Sequence, residues 1–155
     1  MSRDRSKLVP ECAFVSCPVR VLLSDRINIL FANEAFYAAF ATRDMEAMRE
    51  IWSSSVAITC IHPGWAPIVG RQDVLRSWQA ILSNPQSPLI ICSNASAYFL
   101  RDVAYVLCHE HVEQTALAAT NVFVREGGGW KMVHHQAGPS PAPSVDPAET
   151  QERMQ

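Results

Sequence analysis

Apolar positions follow two different rhythms along this chain. Ile29, Ala32, Phe36, Ala39 and Phe40 recur at intervals of three and four residues, the spacing of a single buried helical stripe. Asp44 then reads as the N-cap of a second short helix, because its carboxylate can accept from free amides there. Met45, Met48 and Ile51 or Trp52 supply that helix's inner face. Val56 to Ile61 is short and rich in β-branched residues, which predicts a strand. The run HPGWAP that follows lacks one amide donor at each proline and loosens at its glycine, so it predicts a loop. A third helix begins after Gly70, with Val74, Trp78, Ile81 and Leu82 on one side, and ends at Asn84-Pro85. Beyond Pro88 the rhythm changes to alternation. Four strands are predicted, over Leu89–Leu100, Val103–Val112, Leu117–Arg125 and Trp130–Gln136.

Helices first and strands last predict an α+β fold in which three helices cover one face of an antiparallel sheet. The domain is expected over 26–138. Residues 1–25 form an extension without a clear period. Residues 139–155 are rich in proline and poor in apolar side chains, so a disordered tail is expected.

Composition narrows the function classes. The chain has 155 residues, nearly half of them apolar, enough for one domain with its own core. A formal charge of −2 and the lack of any basic run argue against a nucleic-acid surface. No apolar stretch approaches membrane-spanning length, and no run resembles a secretory leader. The five cysteines, Cys12, Cys17, Cys60, Cys92 and Cys108, form no C-x-x-C pair. They read as reduced thiols of an intracellular, cytoplasmic protein.

The stretch from Ala118 to Gly138 carries most of the candidate chemistry. If its triple glycine pairs Arg125 with Trp130, then Phe123 faces Met132 and Asn121 faces His134. If Val112 pairs with Leu117, Glu110 and Cys108 join the same face. Asn121, Phe123, Trp130, Met132, His134 and Gln136 would then line a mainly apolar wall with polar groups at one end, the composition of a small-molecule pocket. In that arrangement His134 acts as acid and base, Glu110 orients it and Asn121 holds polar ligand atoms. The alternative is a satisfied polar network that braces the sheet. A single-residue bulge would place His135 inside instead of His134. The outer face would carry Tyr105, Leu107, His109, His111, Thr120, Val122, Lys131, Val133 and His135. His62 and Trp65 sit in the loop where a pocket mouth is expected. Trp52 and Trp78 lie on periodic apolar faces and read as core. His109 and His111 share a strand face, but no third ligand stands at a recognisable spacing, so no metal is expected.

Several motifs carry a resemblance to a known family. They are AN-x-x-FY-x-AF from Ala32 to Phe40, Asp44, Trp52, CIHPGW-x-P-x-x-G from Cys60 to Gly70, and Ser77-Trp78. ATNVF from Ala119 and GGWKMVHHQAGP from Gly128 complete the set. In these the chain resembles the SnoaL-like, polyketide cyclase-like branch of the nuclear transport factor 2-like superfamily. The resemblance implies a curved sheet wrapped around helices, and homodimerisation, for which the outer sheet face would serve. It leaves three functions open: binding a small hydrophobic ligand, cofactor-free isomerase, dehydratase or cyclase chemistry through a His–Glu pair, or an interaction and oligomerisation domain. No cofactor is expected under any of them.

Overall fold

The computed structural model describes residues 18–141. Most of the expected extension, with Cys12 and Cys17, and the expected disordered tail beyond residue 141 lie outside the described residues. Helix α1 spans Pro18–Thr42, α2 Met45–Ile51 and α3 Arg71–Ser83. The strands are β1 Thr59–Ile61, β2 Ile68–Val69, β3 Ile90–Leu100, β4 Val103–Val112, β5 Thr115–Glu126 and β6 Gly129–Pro139. They form one six-stranded sheet in the order β2-β1-β6-β5-β4-β3. Three helices pack on this curved sheet, as the α+β reading anticipates. All neighbours are antiparallel except β1 and β6, which run parallel.

Local chemistry explains most element ends. Asp44 adopts an extended backbone and accepts from the Ala47 amide at 2.9 Å, as an N-cap should. Helix α1 starts at Pro18, earlier than the expected domain boundary, and a proline costs a helix no hydrogen bond at its first position. Leu23, Ile27 and Phe31 ride on the exposed side of α1. The loop after β1 turns through Gly64 at φ +78 and closes with a hydrogen bond from the Trp65 amide to the His62 carbonyl. It delivers the two-residue strand β2, which is absent from the periodicity because two residues have no period.

Two of the expected registers move. Strand β5 begins at Thr115, so Val112 pairs with Thr115 across a two-residue turn with Glu113 at φ 55. Glu110 therefore faces Leu117, and Asn121 faces Val106. The slip is two residues, so every side chain keeps its face. In the β5–β6 hairpin Arg125 pairs with Trp130 and Phe123 with Met132, as expected. Val122 then pairs with His134 and Asn121 with His135, so Val133 is an extra residue in β6.

That bulge has a cause outside the hairpin. Met132 bridges to Trp52 and its carbonyl accepts from the Ser53 amide, whereas His134 to Gln136 pair with β1. Strand β6 changes partners between these residues, and Val133 takes up the offset. The expected pairing of Asn121 with His134 is thereby corrected. From His134 onward each side chain lies on the opposite face to the one simple alternation assigns.

Candidate functional site

A connected polar group is buried between α1 and the inner face of the sheet. Asn33 and Tyr37 stand one turn apart on α1, within the same stripe as Ile29, Phe36 and Phe40. The Tyr37 hydroxyl donates to Glu110 Oε1 at 2.8 Å and lies 3.2 Å from Cys108 Sγ. Asn121 Nδ2 donates to Asn33 Oδ1 at 2.7 Å and to the Tyr37 oxygen at 3.2 Å. Asn121 Oδ1 meets His135 Nδ1 at 2.6 Å. A carbonyl oxygen can only accept, so Nδ1 carries the proton and Nε2 of neutral His135 holds the lone pair. That nitrogen makes no hydrogen bond among the described residues and lies 4.0 Å from Glu110 Oε1.

Burial decides the charges. His135 is 3% exposed, and desolvation, helped by the neighbouring His62 and His134, lowers its pKa to about 3. Burial raises the Glu110 pKa against the opposing hydrogen bond from Tyr37. His135 is thus a neutral imidazole, Glu110 is shifted towards its neutral form, and their 4.0 Å approach is not an ion pair.

Both groups line a cavity of about 400 Å³ shared with Phe40, His62, Trp65, Trp78, Ile81 and Leu117. His62 Nε2 sits 2.9 Å from Ser77 Oγ, which spends its own hydrogen on the Val74 carbonyl at 2.8 Å. The histidine is therefore the donor, and its ring packs edge-on against Trp78 at 4.6 Å between centroids. Desolvation lowers the His62 pKa to about 4. Trp78 is buried and its Nε1–H has no partner among the described residues. Trp65 is half exposed and lines the same cavity. Two clefts of about 560 and 530 Å³ open elsewhere, but neither touches Glu110 or His135.

The expected wall is partly redistributed. Glu110 and Asn121 lie inside, and Phe123 and Met132 are fully buried core. His62 is deeper than a pocket mouth requires. Trp130 faces inward but lines the cleft beside α1, with the Arg125 guanidinium 4.5 Å above its ring. His134 and Gln136 leave the wall because of the bulge: His134 Nδ1 meets Thr59 Oγ1 at 2.6 Å, and Gln136 is exposed. His135 takes the inner place. Asn33, Tyr37, Ser77 and Trp78 complete the site without having been assigned to it. The legible signal was two hydrogen-bonding residues, Asn33 and Tyr37, inside an otherwise apolar helical stripe. On the outer face His111 Nε2 meets Ser93 Oγ at 2.8 Å.

Residues 29–142 match the family model of the SnoaL-like domain. The chain belongs to the SnoaL-like family. Within the wider superfamily, this SnoaL-like domain is 30% identical to a candidate dehydratase of the NTF2-like family from Streptomyces avermitilis, covering 78% of this chain and 99% of that one with a TM-score of 0.71. It is also 30% identical to a candidate calcium/calmodulin-dependent protein kinase type II association domain from Thiobacillus denitrificans, with coverage of 71% and 93% and a TM-score of 0.63. F-box protein SKIP8 from Arabidopsis thaliana is 29% identical over 111 residues, or 70% of this chain. The SnoaL-like chain spans 48% of that relative's length. Among the described residues no helix is long and apolar enough to cross a membrane.

Proposed function

We propose that this SnoaL-like domain binds a small, mainly apolar ligand bearing a polar atom, in the cavity floored by Glu110 and His135. The observation that carries this reading is the pair of buried titratable groups with unused hydrogen-bonding capacity facing apolar walls. The Glu110 carboxyl, the His135 Nε2 lone pair and the Trp78 Nε1–H suit a carbonyl or hydroxyl on an otherwise greasy molecule. The absence of a favoured charge at the floor disfavours an ionic ligand. Native mass spectrometry of the purified protein is expected to show a retained small molecule. Ile81→Trp, which fills the cavity from α3, is expected to lose it while the fold persists. Equal retention by both proteins would refute the assignment.

A second reading rests on the locked tautomer. With Nδ1–H held by Asn121, Nε2 is a base beside an acid, the arrangement needed to move a proton between two positions of one ligand without a cofactor. The likeness to a candidate dehydratase supports it. Deuterium uptake from heavy water into a bound cyclic enone should then vanish in Glu110→Gln; undiminished uptake would sink the enzymatic reading.

The domain is also proposed to form a homodimer through its outer sheet face, in a cytoplasmic setting. Tyr98 and Tyr105 stack there at 5.0 Å beside half-exposed Leu107, an aromatic and aliphatic patch of the kind found in interface cores. The likeness to an association domain supports assembly. Sedimentation should show a dimer that Leu107→Glu converts to monomer, and a monomeric wild type would exclude it.

A further inference from the structure

Two thiols outside the cavity's apolar wall meet at the edge of the polar network. Cys92 on β3 and Cys108 on β4 are both free and both project to the inner side of adjacent strands. Each is held by the same helix, one turn apart. Asn33 Nδ2 donates to Cys92 Sγ at 3.8 Å, and the Tyr37 oxygen contacts Cys108 Sγ at 3.2 Å. The two thiols lie near enough to influence one another's ionisation. Their exposures differ: Cys108 is buried at 4%, whereas Cys92 is half-buried and lines the cleft of about 560 Å³ between α1 and β3.

We propose that Cys92 and Cys108 form a peroxide-responsive dithiol, in which Cys92 is the attacking sulfur and Cys108 the resolving one. Access and acidity point the same way. The neighbouring Cys108 thiol holds the Cys92 thiol below the ordinary range against the opposing effect of burial, and the Asn33 amide adds to it. The neighbouring Cys92, with burial, pushes the Cys108 thiol up towards its protonated form. Sensor cysteines combine a stabilised thiolate, an approach path and a resolving thiol nearby.

The strand register sets the two cysteines diagonally on neighbouring strands, on the same face. Cys92 pairs with Glu110, and the next regular pairs are Ser93 with His109 and Ser96 with Leu107. Two β3 residues, Asn94 and Ala95, therefore stand against Cys108 alone, with Asn94 at φ 54. A disulfide needs its Cα atoms within about 7 Å. The bulge gives this stretch of β3 slack to move without breaking ladder hydrogen bonds.

The chemistry balances with one hydrogen peroxide. The Cys92 thiolate forms a sulfur–oxygen bond as the O–O bond breaks, and the departing hydroxide takes a proton to become water. Cys108 sulfur then bonds to Cys92 sulfur as the S–O bond breaks, and that hydroxide leaves with the Cys108 proton as a second water. Both thiols are oxidised and the peroxide is reduced.

Peptide mapping reads the outcome directly. Trypsin cleaves after Arg76, Arg101 and Arg125, so the two cysteines lie on separate peptides, 77–101 and 102–125. Full-length protein treated with hydrogen peroxide and then alkylated is expected to yield these two peptides linked, with loss of two hydrogens and of both alkylation sites. Cys108→Ser should instead accumulate a sulfenic acid on Cys92 that dimedone traps, and Cys92→Ser should leave Cys108 fully alkylatable. The proposal fails if both peptides stay unlinked, or if Cys92 pairs instead with Cys12, Cys17 or Cys60. The wild-type map decides even if either variant does not fold.

Discussion

Asn121→Leu is expected to destabilise the domain by roughly 3 kcal/mol or more, since a buried group stripped of its partner costs ~1–3 kcal/mol. Leucine matches the amide in size, so the loss comes from hydrogen bonding and not from a void. The change strips partners from three buried groups at once: His135 Nδ1–H, Asn33 Oδ1 and the Tyr37 oxygen. Of these only the Tyr37 hydroxyl keeps other contacts, its donation to Glu110 and its approach to Cys108. In a chain of this size such a loss corresponds to a fall in Tm of roughly 6–12 °C. Gln136→Leu is the natural comparison, because simple alternation puts Gln136 on the same wall. It is exposed on the other face, and its replacement should change stability by less than ~0.5 kcal/mol. Denaturant titration of both variants checks the register as well as the energy. If Asn121→Leu matched the wild type while Gln136→Leu unfolded, the bulge at Val133 would be misplaced.

The buried titratable groups set the acid response, and two of them oppose the third. His62 and His135 ionise near pH 6.5 when unfolded but only near about 4 and 3 when folded. Between those limits the unfolded chain holds more protons, so their contribution to stability is lost as pH falls. Glu110 acts in reverse. Its folded pKa lies above the ordinary 4.5, so above that pH the folded state keeps a proton the unfolded chain has released. Stability from this group therefore declines as pH rises. From about pH 6 to about pH 4.5 the two histidines outweigh the single carboxyl, so the wild type should lose stability on acidification. Glu110→Gln removes the opposing group while keeping an acceptor for Tyr37. Its slope over this window should be steeper than that of the wild type, and its stability above pH 6 should exceed that of the wild type. Glu126, held at about 2 by hydrogen bonds from Ser53 and Ser54, responds only below this window. Urea midpoints measured across the range test the sign. An unchanged slope in Glu110→Gln would mean that the buried carboxyl is ionised in the folded protein.

Both results bear on the same cluster, and its members differ in how readily the chain discloses them. Strand β4 was bounded correctly by alternation alone, and Asp44 by its capping chemistry, because each depends on neighbours within a few positions. The Phe123–Met132 pairing followed from the glycine turn for the same reason. Asn33 and Tyr37 stand at helical spacing, but nothing near them in the chain reveals that Asn121 and Glu110 lie across the core.

Inward-facing Glu110 and Asn121 survived a two-residue error in the β4–β5 turn, because side chains in a strand return to the same face every second position. The choice between His134 and His135 did not share that protection. It turns on Val133, and Val133 bulges because Met132 answers to Trp52 while the residues beyond it answer to β1. Those partners lie some seventy to eighty positions away. Local alternation thus specified the elements and most of their faces. Which imidazole enters the cavity was set by long-range strand pairing, because a one-residue offset costs little in the chain but reverses every side chain after it.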